Sequence, residues 1–250
     1  MRGTGMPKLV YFDKVQQIIE KAIETQSGRV RELAEWMAET IIADHLIYVF
    51  GAGHAGIISE ELCYRAGGLV PINAILAPGL TLNTYPLTLE TALERLSGYA
   101  EIILESSQIM AGDLLIIHSN SGRNTISIEM AEIAKEKGIR VAGLTSLAHA
   151  NSVKSRHPKG KKLMDVVDLV IDNCGVPGDA VVAYESYSQK CGATSTVVGS
   201  MLMNAAVSET VRILLERGYP PPLTKSANLD DSEEYNQKIW DRYKGRLTYL

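Results

Sequence analysis

The part of the sequence best suited to chemistry is a polar turn that follows an apolar run and precedes an amphipathic helix. Residues 114–117 are all apolar, and the chain then reads His118-Ser119-Asn120-Ser121-Gly122-Arg123-Asn124. A helix N-terminus carries unpaired N–H groups and a partial positive charge, which attract an anion. Serine and asparagine side chains add hydrogen-bond donors. We call residues 119–124 the serine turn, and its predicted phosphate contacts are Ser119, Asn120, Ser121 and Asn124.

A second turn has the same setting, between the apolar residues 46–50 and a short helical pattern. It reads Gly51-Ala52-Gly53-His54-Ala55-Gly56, and we call it the glycine turn. In an open parallel sheet, ligands bind beyond the carboxyl ends of the strands, so the two turns are expected at one edge. Gly51, Gly53 and His54 are therefore predicted to contact the same ligand as the serine turn.

The three glycines of the glycine turn also fit the G-x-G-x-x-G pattern of dinucleotide-binding folds. Such a fold needs an acidic residue about 20 positions further on, at the end of the second strand, to hold the ribose. Residues 70–78 contain no acidic residue, and the chain opens with helical patterns rather than with the strand. We therefore expect no nicotinamide or flavin cofactor.

The elements that must position these turns follow from the apolar pattern. Short apolar runs alternate with segments of helical spacing, which is typical of a parallel sheet covered by helices on both faces. The predicted fold is α/β, a three-layer αβα sandwich with a five-stranded parallel sheet. Its strands are predicted at residues 46–50, 69–76, 114–117, 139–144 and 166–171.

Helical segments are predicted at both ends of the chain. Residues 12–43 are expected to form two helices or one bent helix, with Ser27 capping the second. Residues 230–247 are expected to form a C-terminal helical tail. No linker rich in glycine, serine or proline divides the chain, so we expect a single domain spanning 1–250, with a core at about 30–215.

The two turns and their separation resemble the phosphosugar-binding turns of sugar isomerase (SIS) domains. The sequence is most similar to the UPF0309 group, and phosphoheptose isomerases are more distant relatives. The resemblance implies a phosphosugar ligand and a homodimer or homotetramer with the site near a subunit interface. Two positions depart from the family pattern, because Ala55 replaces a serine and Asn124 replaces a threonine. The serine turn is therefore expected to do more of the phosphate binding.

An aldose–ketose isomerase needs a base, and an acid that opens the sugar ring. We select Glu61, His157 and Glu209 as catalytic candidates. Glu61 lies on the inward side of its helix, and His157 lies in a basic loop after the fourth strand. Glu209 interrupts an apolar helix, where burial would raise its pKa; the alternative is an ion pair with Arg212 or with a neighbouring subunit.

A further group of hydroxyl side chains lies at the start of the long apolar helix near residue 195. Ser195 and Thr196 are predicted to contact the sugar or its phosphate, and the alternative is a helix N-cap. The cysteines and histidines do not have the spacing of metal ligands, so no metal is expected.

Three functions remain open on the sequence alone. The first is a phosphosugar isomerase in carbohydrate metabolism, the second a non-catalytic sugar-phosphate sensor, and the third an amino-sugar-phosphate lyase. The formal charge of −4, without a long basic block, argues against nucleic acid as a partner. No apolar run approaches the roughly 20 residues that cross a bilayer, and no signal peptide is recognisable. We expect a cytoplasmic protein that makes no membrane contact.

Overall fold

The computed structural model describes residues 9–249, and its centre is a five-stranded parallel sheet. The strand order is β2-β1-β3-β4-β5, and each neighbouring pair is parallel. This confirms the predicted α/β sandwich. The strands are β1 (Ile47–Gly51), β2 (Ile72–Ile75), β3 (Leu114–His118), β4 (Arg140–Thr145) and β5 (Leu169–Asp172).

Helices cover both faces of this sheet. Because side chains alternate along a strand, β3 directs Leu114 and Ile116 to one apolar layer and Leu115 and Ile117 to the other. The helices α1, α2 and α8 pack on the first layer, whereas α4, α5, α7 and α9 pack on the second. The helices are α1 (Val10–Ile42), α2 (Ile57–Leu62), α3 (Leu87–Leu93), α4 (Tyr99–Ser106), α5 (Thr125–Glu136), α6 (Leu147–Ser152), α7 (Leu163–Val166), α8 (Ser195–Glu216) and α9 (Ser232–Tyr243).

The strand order places the two polar turns side by side. From β1 the chain moves outward to β2, whereas from β3 it moves the other way to β4. Ligands bind at such a switch point in open α/β sheets. Gly51 at the end of β1 is the register partner of His118 at the end of β3. The glycine turn and the serine turn therefore begin on adjacent strand ends.

The N-terminal segment forms one continuous helix of 33 residues, so the predicted alternative of a single helix is correct and that of two helices is wrong. Ser27 does not cap a second helix; its hydroxyl donates to the carbonyl of Ile23 within α1. Packing of α1 against α8 and the sheet keeps the helix intact through Gly28. At the other end of the chain, the predicted helical tail contains α9.

The fifth strand is also shorter than predicted, because residues 163–166 form the short helix α7. Val166 packs with Leu163 in the second apolar layer, so its hydrophobicity reflects a helix and not a strand. The predicted strand at 69–76 is likewise reduced to β2. A hairpin of β6 (Ala180–Tyr184) and β7 (Tyr187–Ala193) was not predicted at all.

Helix α8 is long and apolar enough to cross a membrane by length and composition alone. Half of its most apolar window is buried inside the protein, and it packs along α1. Core helices of globular proteins have the same properties, so this helix is weak evidence for a membrane span.

Candidate functional site

The glycine turn is a tight backbone structure that only glycine fits at its first position. A Cβ on Gly51 would lie 2.4 Å from the backbone carbon and oxygen of Ala55. Gly53 has a φ of 57°, in the left-handed region that favours glycine, and its N–H donates to the carbonyl of Leu80 at 2.8 Å. His54 is exposed at the tip of the turn. The turn thus brings the backbone close to the switch point.

Backbone hydrogen bonds fix the serine turn. The N–H of Gly122 donates to the carbonyl of Ser119 within the turn at 3.1 Å. The N–H of Ser146, which follows β4, donates to the carbonyl of Asn120 at 3.0 Å. The side-chain oxygen of Asn120 accepts from Asn173 at 2.9 Å, which binds the turn to the loop after β5. Within residues 9–249, the half-buried hydroxyls of Ser119 and Ser121 make no hydrogen bond, so both can serve a ligand.

Asn124 precedes α5 and lies beside two neighbouring side chains. Its side-chain oxygen accepts from Nη1 of Arg156 at 2.7 Å, and its side chain lies close enough to Glu94 to lower the pKa of that carboxyl group in part. The residue is 7% exposed. Asn124 therefore connects the serine turn to Arg156 in the loop after β4.

Two carboxyl groups on the segment around α3 reach this site. Oε1 of Glu90 lies 3.0 Å from the position that a Cβ on Gly53 would occupy. Burial raises the pKa of Glu90, and the nearby His54 and Arg95 lower it in part. Burial and the negative charge of Glu90 raise the pKa of Glu94. A carboxyl group with a raised pKa in a cleft is suited to proton transfer.

His118 lies directly beneath the glycine turn. Its Nδ1 donates to the carbonyl of Ala55 at 3.0 Å, which fixes the ring, and the residue is 1% exposed. Burial lowers the pKa of His118 to about 4, so the ring is neutral at pH 7. Its Nε2 is buried and has no hydrogen-bond partner among residues 9–249.

The pKa of His118 makes the stability of the protein dependent on pH. The unfolded histidine takes up a proton near pH 6.5, whereas the folded one does so only near pH 4. The folded state is therefore favoured most above pH 6.5, and it should lose about 3 kcal/mol from this group as the pH falls to 4. Urea unfolding of the wild type and of His118→Gln at pH 4–8 measures the difference. Equal pH dependence of the two proteins would contradict the assignment.

Asp179 binds the start of α8 from the loop that precedes the hairpin. Its carboxylate accepts from the backbone N–H groups of Thr194 at 3.0 Å and Ser195 at 2.8 Å, and from the Ser195 hydroxyl at 2.6 Å. Thr194 of this hydroxyl cluster occupies the N-cap position of α8, but its side chain makes no capping hydrogen bond, and Asp179 supplies the capping oxygen instead. Thr196 is half-buried in the next position. The charge of Asp179 also raises the pKa of His118 in part, which places this carboxylate near the site.

The predicted catalytic residues Glu61 and Glu209 have partners of their own. Glu61 forms an ion pair with Arg65 and accepts from Nδ2 of Asn204 on α8 at 2.9 Å. Glu209 forms ion pairs with Arg212 at 2.8 Å and with Arg31 at 3.6 Å. The hydrogen bond from Arg212 lowers the pKa of Glu209, so the raised pKa predicted from the sequence is wrong. Glu209 also lies about 20 Å from the start of α8, at a rise of 1.5 Å per residue, and therefore far from the end of the helix that Asp179 binds.

His157 is buried, and its Nε2 lies 3.9 Å from Oε2 of Glu132 on α5. The residue before it, Arg156, is the one whose side chain reaches the serine turn. The structure therefore does not bring His157 together with Glu61 or Glu209. Within residues 9–249, no three His, Cys, Asp or Glu side chains converge as metal ligands do.

Comparison with known proteins agrees with this geometry. Residues 10–146 match the sequence profile of the SIS domain. The chain is 43% identical to the UPF0309 protein of Shouchella clausii over 240 residues, which is 96% of this chain and 98% of that protein. The chain belongs to the SIS-domain family. This SIS domain is thus similar to the UPF0309 proteins along nearly its whole length.

Solved structures place the same fold in more distant proteins. The SIS domain superposes on the phosphoheptose isomerase of Neisseria gonorrhoeae with a TM-score of 0.53 and 18% identity, covering 81% of this chain and 95% of that one. It superposes on the Vibrio vulnificus NanR protein complexed with ManNAc-6P with a TM-score of 0.51 and 16% identity, covering 94% and 67%. At this identity the likeness concerns the fold.

Sequence reasoning missed Glu90, Glu94 and Arg156 as site residues of this SIS domain. A signal existed for the two glutamates, because they lie four residues apart, Glu90 within α3 and Glu94 at its C-cap, on the segment that follows the carboxyl end of β2. Arg156 had a similar signal in its basic loop after β4, but His157 was chosen there. Only the packed structure distinguishes which of two neighbouring side chains turns toward the site.

Proposed function

We propose that this SIS domain binds a phosphorylated sugar at the edge formed by the two turns and isomerises it between aldose and ketose. The main observation in support of this proposal is that Gly51 and His118 are register partners, so that the glycine turn lies beside the serine turn. Glu90 contacts the glycine turn from α3. These contacts support a phosphate site and a proton-transferring carboxyl group at the same edge of the sheet.

The serine turn is assigned to the phosphate. It precedes α5, a helix of 12 residues, and the hydroxyl groups of Ser119 and Ser121 have no hydrogen-bond partner in the described part of the chain. Ala55 has no hydroxyl, so the glycine turn contributes backbone N–H groups and His54. The neighbour that binds ManNAc-6P shares this fold, which supports a phosphosugar as the ligand.

The reaction requires a base that moves a proton between C1 and C2 through an enediol. We assign the base to Glu90, whose pKa burial raises and which lies at the turn. His54 is near enough to Glu90 for its charge to lower the pKa of that group, and we assign it to ring opening. Glu61 is the alternative base, because it is half-buried on α2, directly after the glycine turn.

Proton–deuterium exchange tests the reaction. The protein is incubated in D2O with a panel of aldose phosphates, and exchange at C1 and C2 is followed by NMR. We expect exchange and conversion for at least one ligand that also raises the melting temperature. Stabilisation without exchange would contradict the isomerase and favour the sensor or the lyase. The homodimer or homotetramer implied by the family stays a prediction.

Replacing Ser121 with alanine should weaken phosphosugar binding by about 1–3 kcal/mol, because a hydrogen bond to a charged group is lost. Calorimetric titration of the wild type and of Ser121→Ala measures the change in dissociation constant. Ser186→Ala is the control, since Ser186 is exposed between β6 and β7. An unchanged affinity in Ser121→Ala would remove the serine from the phosphate site.

A further inference from the structure

Among the carboxylates of residues 9–249, none lies within ion-pair distance of three arginines beside the serine turn. They are Arg95, Arg123 and Arg156. Every other arginine in residues 9–249 has a carboxylate oxygen within 4.0 Å. The arginines without an ion pair are therefore gathered at one place, and that place is the turn assigned to the phosphate.

The geometry brings two of them into the site itself. Arg123 is part of the serine turn, and its Nε is buried without a hydrogen-bond partner in the described chain. The backbone N–H of Arg156 donates to the carbonyl of Arg123 at 2.8 Å, and its Nη1 donates to Asn124 at 2.7 Å. An unpaired buried donor is costly, so a ligand that accepts from Arg123 removes a penalty of the empty site.

The charges of the cluster favour an anion as that ligand. Arg156 is exposed, and partial desolvation together with the positive charges of Arg123 and Arg95 lowers its pKa. The negative charge of Glu94 offsets the repulsion among these arginines only in part. Guanidinium groups form paired hydrogen bonds with phosphate oxygens, which a single serine hydroxyl cannot replace.

We propose that Arg123 and Arg156 form a guanidinium clamp on the ligand phosphate, and that this clamp selects a dianionic phosphate over a singly charged ester. The proposal rests on the phosphosugar function. It also accounts for Ala55, which replaces the serine of the family pattern, because the guanidinium groups supply donors in place of the missing serine hydroxyl. Arg95 is exposed and adds positive charge at the rim.

The test compares glucose 6-phosphate with glucose 6-sulfate, which carries one negative charge fewer at neutral pH. Calorimetric titration is done on the wild type, Arg123→Gln, Arg156→Gln and the charge-retaining Arg123→Lys and Arg156→Lys. We expect the wild type to prefer the phosphate ester, and each Gln variant to lose about tenfold or more of its phosphate affinity. The sulfate affinity should fall less, so the preference should shrink. A Lys variant should keep more phosphate affinity than the corresponding Gln variant.

The control is Arg140→Gln, which removes an exposed arginine whose partner is Glu39 on α1. It should keep the wild-type preference. Equal losses for both esters would indicate a purely structural role and overturn the clamp. Unchanged phosphate affinity in both Gln variants would also overturn it, while leaving the phosphosugar function intact. Failure of the wild type to bind any phosphosugar would instead refute the function on which the clamp rests.

Discussion

Replacing Glu90 with glutamine should reduce deuterium exchange at C2 of a bound aldose phosphate by about 10²–10⁴-fold, the usual contribution of a general base. Glutamine keeps the size of the side chain but cannot take a proton. The carboxyl group lies at the glycine turn and not at the serine turn, so phosphate affinity should change little. The measurement is the exchange rate at saturating ligand, followed by NMR.

The pH profile adds a second readout for Glu90. A base works in its deprotonated form, so the exchange rate should fall as the pH drops through the pKa of Glu90. Burial raises that pKa above the ordinary value of 4.5, and the fall should begin at a correspondingly higher pH. Exchange that stays constant down to pH 4.5 would contradict the role of this group.

Two further glutamates sharpen the experiment. Glu61→Gln tests the alternative base, and the result expected is a much smaller loss of exchange than in Glu90→Gln. Glu101→Gln is the matched control, because Glu101 is exposed on α4. Loss of exchange in Glu61→Gln with normal exchange in Glu90→Gln would show that Glu61 on α2 is the base and that Glu90 is not.

Replacing Gly51 with alanine should destabilise the protein by about 3 kcal/mol, at the upper end of the effect of overpacking. The added Cβ would meet the backbone of Ala55 at 2.4 Å and the N–H of Gly56 at 2.7 Å. These atoms are backbone on both sides, so no side chain can rotate to make room. The free energy of unfolding from urea denaturation measures the loss.

The control for this substitution is Gly28→Ala. Gly28 lies within α1, and a Cβ there would have no atom within 4 Å. Alanine is the better helix former by roughly 0.5–1 kcal/mol, so this variant should gain stability. If Gly51→Ala were as stable as the wild type, the tight approach of the glycine turn to β1 would be wrong.

The sequence predicts the sheet well, because its strands are short apolar runs that end in glycine or polar turns. The pairing of Gly51 with His118 follows from that sheet, so the juxtaposition of the two turns was predictable. The hairpin was missed, because most of its residues are exposed and its apolar side chains cover little of the core. Its strands depend on each other and on α1 more than on a local apolar pattern.

The side chains of the site were harder to predict than its location. Glu90 depends on the path of the chain after β2, which carries α3 back to the glycine turn. Glu209 looked like a buried base because its helix is apolar, yet Arg31 and Arg212 approach it from two helices. The pair with Arg212 lies within α8 and was the alternative that the sequence offered, whereas the pair with Arg31 depends on how α1 packs on α8. Periodicity within one helix does not contain that information.

Thermal denaturation with a matched ligand panel tests the central claim that the serine turn binds the phosphate of a sugar. The panel contains sugar phosphates, the same sugars without phosphate, and NAD. We predict a rise in melting temperature with at least one sugar phosphate, none with its unphosphorylated sugar, and a smaller rise in Ser121→Ala. A rise with NAD and with no sugar phosphate would contradict the account.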